Sequence, residues 1–197
     1  MTQAEKVLET ALRLFTLQGY SATTIEDIRM QSEVSVGAIY HHFGSKEGIA
    51  GALYVESLSD FQRGLVGAIG VREPDAERAV RAGVAHHLEW TDTNRDRAGF
   101  MLRRRETEVT AASETEIAAL NRRLFADLET WYRPRMSAGE IRDLPLPLLC
   151  SIWFGPSQEY ARAVIDGPAT IAETRLTDAT PALADAAWAA LRPDQLS

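Results

Sequence analysis

Apolar residues recur at intervals of three and four along the whole chain, and no window sustains the period-two alternation of a half-buried strand. The pattern predicts helices throughout. In the first, Ala4, Val7, Leu8, Ala11, Leu12 and Phe15 form one stripe; Thr2 and Glu5 have capping-box spacing, and Gly19 supplies a stop. A short second helix is expected over 24–31, opened by a capping box of Thr23 and Glu26, with Ile25, Ile28 and Met30 facing inward. Residues 32–34 make a turn, Ser35 caps a third helix over 36–42, and Gly44 ends it. Ser45 caps a fourth, whose stripe Ile49, Leu53, Ser57, Phe61, Leu65 and Ile69 is spaced by fours for roughly five or six turns. A helix that long can leave one folded unit and enter another.

Further along, V-R-E-P-D breaks the pattern, and Pro74 with Asp75 suits the start of a helix over 75–90 that carries Val80, Val84, His87 and Leu88. T-D-T-N-R-D-R, residues 91–97, reads as a polar loop and 98–109 as a helix; 114–131 is another, with Ile117, Leu120, Leu124, Leu128 and Trp131 in register. Three prolines and a glycine make 134–147 irregular. Residues 148–166 are strongly apolar but hold Gly155-Pro156, which should kink them, because proline removes a backbone donor and crowds the preceding turn. An Ala-rich helix over 181–191, with Pro181 near its first turn, comes last. The expected fold is all-α, with a small domain over 1–47 and a larger helical one over 48–197.

With 197 residues, 45% of them hydrophobic, the chain can bury a core. No basic and then apolar leader opens it, and no run approaches the roughly 18 apolar residues of a membrane span, so a cytoplasmic location away from the membrane is expected. The single cysteine, Cys150 in L-L-C-S-I-W-F, reads as a buried inert thiol and leaves no disulfide framework or Cys-rich metal site; no metal or other cofactor is expected. A net charge of −7 argues against a surface that coats nucleic acid or anionic lipid, while allowing a local site.

Such a site is suggested by V-S-V-G-A-I-Y-H-H-F-G-S-K-E-G, residues 34–48, which places Tyr40, His41 and His42 on a helix of barely two turns, too short to bury all three. Three short helices with a tight turn between the second and third have helix-turn-helix geometry, in which the third enters the major groove of double-stranded DNA. So short a helix must offer its N-terminal amides and small side chains to phosphates and base edges; Ser35, Gly37 and Ala38, with Val36 beside them, permit that approach. Tyr40 and His41 can donate to phosphate, as can Thr24 at the start of the preceding helix, and Lys46 adds a full positive charge. Ile39 and Phe43 point the other way, toward the first helix.

T-T-I-E-D-I followed by this stretch resembles the N-terminal domain of the TetR family of transcriptional regulators, whose pattern is about T-T-x-x-D-I-A, A-G-V-S-x-G-x-x-Y-x-H-F and S-K-E-x-L. The likeness covers residues 5–50. It implies DNA-binding roles for Thr24, Ser35, Gly37, Tyr40, His41 or His42, and Lys46, a C-terminal helical domain that binds a small-molecule effector, and a homodimer formed through the last two helices. The implied function is a one-component regulator, a repressor at a palindromic operator. Where the family usually has Ala-Gly, this chain has Ser32-Glu33, so Glu33 is expected to bear the strain of a positive φ and to add a negative charge beside the DNA face. Arg29, where the family commonly has Ala, is a further candidate cation. Residues 1–50 hold four Lys and Arg against six Asp and Glu, a net of −2. Binding should then lean on neutral donors and helix N-termini, with a shallow salt dependence of about two to four neutralised phosphates per half-site, each contributing about −0.9 to the slope.

In the C-terminal part, His86 and His87 project about 100° apart and cannot form the i, i+4 ligand pair of a helical metal site. Arg103, Arg104 and Arg105 read as a solvated face paired with Glu106 and Glu108, or as one inward Arg that receives an effector carboxylate or phosphate. Candidate effector-pocket residues are His87, Trp90, Phe100, Met101, Arg104, Phe125, Trp131, Trp153 and Tyr160, which equally suit a core. The last two helices are richer in Ala, Leu and Trp than one solvated face needs and suit pairing across a two-fold axis. A rival reading as a helical enzyme using His86, His87 or Glu89 finds no nucleophile–base pair, phosphate loop or metal spacing to support it. A second rival keeps the motif but makes the chain a partner-binding protein that acts only on DNA.

Overall fold

A computed structural model describes residues 1–70, 75–103, 111–168 and 174–193, and no strand occurs among them. The helices are α1 Gln3–Gln18, α2 Ile25–Ser32, α3 Val36–Phe43, α4 Lys46–Ile69, α5 Ala76–Thr93, α6 Arg95–Arg103, α7 Ala111–Ser137, α8 Leu146–Ile165 and, after a 3-10 turn at Leu176–Ala179, α9 Thr180–Leu191. The chain forms two compact units, one of Met1–Ser59 with Arg95–Leu120, the other of Asp60–Asn94 with Asn121–Ser197. This division differs from the expected 1–47 and 48–197. Ile49, Ala50 and Leu53 of α4 are fully buried in the N-terminal core, and Phe100 of α6 joins it.

That N-terminal core joins Val7, Ala11, Leu14 and Phe15 of α1 to Ile28, Val34 and Ile39. As predicted, Thr2 and Glu5 exchange capping-box hydrogen bonds (3.2 and 2.8 Å), and Gly19 stops α1 at φ 86°. The box that opens α2 sits one residue later than expected. Thr24 Oγ1 accepts the Asp27 N–H (3.1 Å), and the Asp27 carboxylate accepts the Thr24 N–H (2.8 Å). Thr23 is instead fully buried, its hydroxyl donating to the Gly19 carbonyl (2.8 Å). Met30 is 64% exposed rather than inward. Ser35 caps α3 by accepting the Ala38 N–H (3.2 Å), and Ser45 receives the Gly48 N–H (3.1 Å) at the start of α4.

Residues 91–97 are not a loop. Helix α5 runs to Thr93, and only Asn94 interrupts it, with both its backbone N–H and its side-chain amide on the Trp90 carbonyl (2.9 Å each). Arg97 then serves α6 by pairing with Glu56 (2.9 Å). The predicted helix 98–109 is seen only as far as Arg103; Pro74 and residues 104–110, Arg104 and Arg105 among them, lie outside the described residues. In the second unit α7 extends to Ser137 with Pro134 in its last turn and stops where Gly139 turns to φ 69°. So 134–147 is irregular only after that turn. Pro145 and Pro147 flank the start of α8, where a missing N–H costs little, and α8 continues through Gly155-Pro156 to Ile165 as one helix.

The second core gathers Leu65, Ile69, Val80, Val84, Leu88, Trp131, Leu149, Trp153, Ala187 and Leu191. Gly83 has a packing reason: a Cβ there would meet the Trp153 ring at 2.9 Å, and its absence lets Trp153 Nε1 donate to the Val80 carbonyl (2.9 Å). Cys150 is half-buried rather than fully buried as expected, and that burial pushes its thiol up to about 11. No described helix is long and apolar enough to cross a membrane.

Candidate nucleic-acid interface

The eight residues of α3 and its cap Ser35 divide cleanly. Ile39 is 1% exposed and Phe43 half-buried against the N-terminal core, whereas Ser35, Val36, Gly37, Tyr40, His41 and His42 are exposed and Ala38 is half-buried. Tyr40 is 50% exposed, and its hydroxyl has no hydrogen-bond partner among the described residues. The His41 and His42 rings meet edge to face at 5.5 Å. The N–H groups of the first turn of α3, apart from the one taken by Ser35, face outward at the positive end of the helix dipole. Such a face can bind phosphate and lay small side chains against base edges.

Gly37 is informative because nothing inside the protein requires it. A Cβ built there would meet no atom within 4 Å, and its φ is not positive. Glycine inside a helix is destabilising relative to alanine by roughly 0.5–1 kcal/mol, and internal packing does not account for its use here. Gly37→Ala is therefore expected to raise thermal stability by about that amount while weakening operator binding about tenfold, or about 1.4 kcal/mol. Tighter or unchanged DNA binding in that variant would remove the argument for close approach.

The cations expected at this face are occupied elsewhere. Lys46 Nζ donates to the carbonyls of Tyr20 (3.0 Å) and Thr23 (2.8 Å) and lies 4.3 Å from the centre of the Tyr20 ring. It clamps the turn between α1 and α2 to the start of α4. Arg29 is bidentate on Glu26 (2.8 and 2.6 Å), and that hydrogen bonding holds the Glu26 carboxyl below the usual carboxylate range. The Thr24 hydroxyl already donates to Asp27 (2.7 Å), so a phosphate would have to compete for it. Glu33 adopts φ 58°, ψ 22°, the left-handed conformation anticipated from the missing glycine, and is the one non-glycine with positive φ among the described residues. Replacing it with glycine is expected to raise stability by about 1 kcal/mol, the relief of strain less the added entropy of the unfolded chain. Denaturant titration of Glu33→Gly checks this, and a lowered midpoint would contradict it.

Residues 7–53 match the profile of the bacterial regulatory proteins of the tetR family. Over this segment the chain is similar to that family. The repressor DhaR of Mycobacterium sp. strain GP1 is 37% identical over 59 residues, which is 30% of each chain. The chain thus matches less than a third of that relative's length. The TetR-family regulator PfmR of Thermus thermophilus superposes with a TM-score of 0.69 at 27% identity, over 92% of this chain and 96% of that one. FadR of Bacillus subtilis, solved with stearoyl-CoA, shares the fold over 94% and 98% of the two chains, with a TM-score of 0.77 at 17% identity. DhaR, PfmR and FadR are transcriptional regulators, and none of them favours the helical-enzyme reading.

The TetR-like second unit holds some of the effector candidates and not others. His87 is 8% exposed, and its Nδ1 has no hydrogen-bond partner among the described residues; the same is true of Nε1 of Trp131. Trp90 donates to Asp60 (2.8 Å) and packs on Phe61 (5.3 Å between ring centres), which also meets His87 at 5.8 Å. Trp131 and Trp153 are core residues 5.1 Å apart, Tyr160 is half-buried against that core, and Phe125 is 44% exposed. Phe100 and Met101 belong to the first unit, where Phe100 stacks on Phe15 at 5.7 Å. Sequence spacing could not separate them, because both units present apolar stripes of the same period.

Burial, reinforced by the charge of His86, pushes the His87 imidazole down to about 4 from its ordinary value near 6.5. The folded ring stays neutral while the unfolded chain takes up a proton below pH 6.5, so stability is lost as pH falls from 6.5 toward 4. The expected loss is up to about 1.4 kcal/mol per pH unit, near 2 kcal/mol at pH 5. Urea denaturation at pH 7 and pH 5 should show this slope in the wild type and a reduced one in His87→Leu. Equal slopes would mean that another group carries the acid sensitivity.

Proposed function

We propose that the chain is a ligand-responsive one-component repressor that binds a palindromic operator as a homodimer. The exposed face of α3 carries this reading, above all Gly37, a helical glycine with nothing inside the protein to accommodate. Ser35, Val36, Gly37 and Ala38 approach the bases, while Tyr40, His41 and His42 contact phosphate or base edges; Thr24 and Lys46 contribute by fixing α2 and the turn before it. One eight-residue helix reads too few base pairs, so two copies must read half-sites about 34–36 Å apart or a multiple of that spacing. Exposed Ala182, Ala186 and Ala189 on α9 and Leu148 on α8 support pairing through the last two helices.

The effector is a small molecule held in the second unit, where the partnerless His87 Nδ1 and Trp131 Nε1 are available to read it. The stearoyl-CoA held by FadR of the same fold supports a largely apolar ligand. Binding would favour a conformer whose recognition helices are wrongly spaced, and a coupling of about 1–3 kcal/mol changes operator affinity 5- to 150-fold. Selection from a random duplex pool with the purified protein tests the reading. A palindromic winner bound by two chains is expected, and an unenriched pool at low salt would sink it.

A further inference from the structure

The geometry points to a specificity determinant in α3: Val36 reads the C5-methyl group of a thymine in each half-site, so that the bases under the first turn are recognised by methyl contact rather than by side-chain hydrogen bonds to purines. This deepens the DNA-binding reading above and rests on it. In a helix-turn-helix the N-terminal residues of the recognition helix meet the base edges. Here those residues are Ser35, Val36, Gly37 and Ala38, and their side chains hold one polar atom between them, the Ser35 hydroxyl oxygen. That oxygen accepts the Ala38 N–H (3.2 Å), which keeps it at the end of the helix as its cap with one proton left to donate.

Bases differ in the major groove by their donors, their acceptors and the thymine methyl. Guanine is selected by bidentate Arg or Lys, adenine by bidentate Asn or Gln, and the cytosine amino group by Asp or Glu. None of these residue types occurs over 34–43. Arg29 and Lys46, the cations nearest in sequence, are held by Glu26 and by the Tyr20 and Thr23 carbonyls. The rings of Tyr40, His41 and His42 stand on the later turn of α3. What the first turn can still distinguish is the methyl group of thymine, the one apolar mark on the groove.

Val36 suits that task. It is 38% exposed, whereas Ile39, three residues on, is buried in the N-terminal core. Helix formation does not favour valine at an exposed position, because its branched side chain loses rotamer freedom against the helix backbone. The same stiffness is useful at an interface: the methyl groups are already placed, and little freedom is lost when they meet a base. Beside Val36, Gly37 presents backbone alone, and even an added Cβ would meet no atom within 4 Å. A base edge can therefore come to the isopropyl group without meeting a side chain from position 37.

The test uses the duplex selected from a random pool of unmodified DNA, in which thymine carries all the C5-methyl groups. Each thymine is replaced by deoxyuridine, symmetrically in the two half-sites, which removes the methyl and keeps the base pairing; affinity is read by fluorescence anisotropy for the wild type and Val36→Ala. Burial of one methyl corresponds to about fourfold in affinity, so one symmetric pair of replacements should weaken wild-type binding about 15-fold. In Val36→Ala the same pair should change affinity by less than about threefold, because the contact has already been lost. The thermal midpoint of Val36→Ala should not fall, since the side chain is exposed and alanine favours the helix. Replacements that all leave wild-type binding within about twofold, a selected duplex with no thymine in either half-site, or a uridine penalty undiminished in Val36→Ala would each overturn the assignment and leave the DNA-binding reading standing. A pool that yields no enriched duplex would sink both.

Discussion

Replacing Tyr40 with alanine is expected to lower operator affinity by about 3 kcal/mol or more, about a hundredfold, with little change in stability. The side chain is half exposed, and its hydroxyl bonds to no described residue, so its removal opens no cavity and orphans no partner. On DNA a hydroxyl that donates to phosphate forms a charge-assisted hydrogen bond, of order 1.5–3 kcal/mol, and a two-fold symmetric dimer loses one in each half-site. Tyr40→Phe separates the hydroxyl from the ring: it should reproduce most of the loss if phosphate contact dominates, and little of it if the ring packs on sugar or base. Fluorescence anisotropy on the selected duplex, with thermal unfolding as a control, measures both. Full affinity in Tyr40→Ala would remove α3 from the DNA face and leave its exposed rings without an explanation.

How far such a result could be foreseen depends on how local the determinant is. The caps of α1, α3 and α4 were legible because each is a contact between residues three apart, and Gly44 stopped α3 where expected. The α2 cap was misplaced by one because Thr23 and Thr24 both have an acid three residues on. Only the tertiary burial of Thr23 decides between them. The strain at Glu33 was legible from one substitution in a tight turn and appears as a φ of 58°. Residues 91–97 misled because polarity does not mark a loop; the backbones of α5 and α6 stay helical there, with Thr91 buried and only Thr93 and Asp96 exposed. Least legible were the long-range pairings. Nothing in the spacing joins Phe100 to Phe15 across the chain, or tells that His87 is buried without a hydrogen-bond partner for Nδ1.

Lys46 is the sharpest of these long-range cases, and Lys46→Met tests it. Motif position assigns its charge to phosphate, whereas two of its three N–H groups are taken by the Tyr20 and Thr23 carbonyls, more than 20 residues away in sequence. Each bond is charge-assisted, and each carbonyl would otherwise be left in a part-buried turn without that donor, so the substitution should cost about 3–5 kcal/mol of stability, with further loss from the contact over the Tyr20 ring. Methionine keeps the length and apolar stem of the side chain, which confines the change to the ammonium. If Lys46 is the clamp, operator affinity falls through the loosened α2 while the slope of log affinity against log salt is unchanged. If it neutralises a phosphate, stability holds and the slope shallows by about 0.9 per half-site. The two outcomes are opposite in both observables, so one denaturation curve and one salt titration decide between them. A clamp would also account for how a DNA-binding unit with a net charge of −2 in its first 50 residues can retain its lysine: the cation organises the surface, and the neutral donors of α3 meet the DNA.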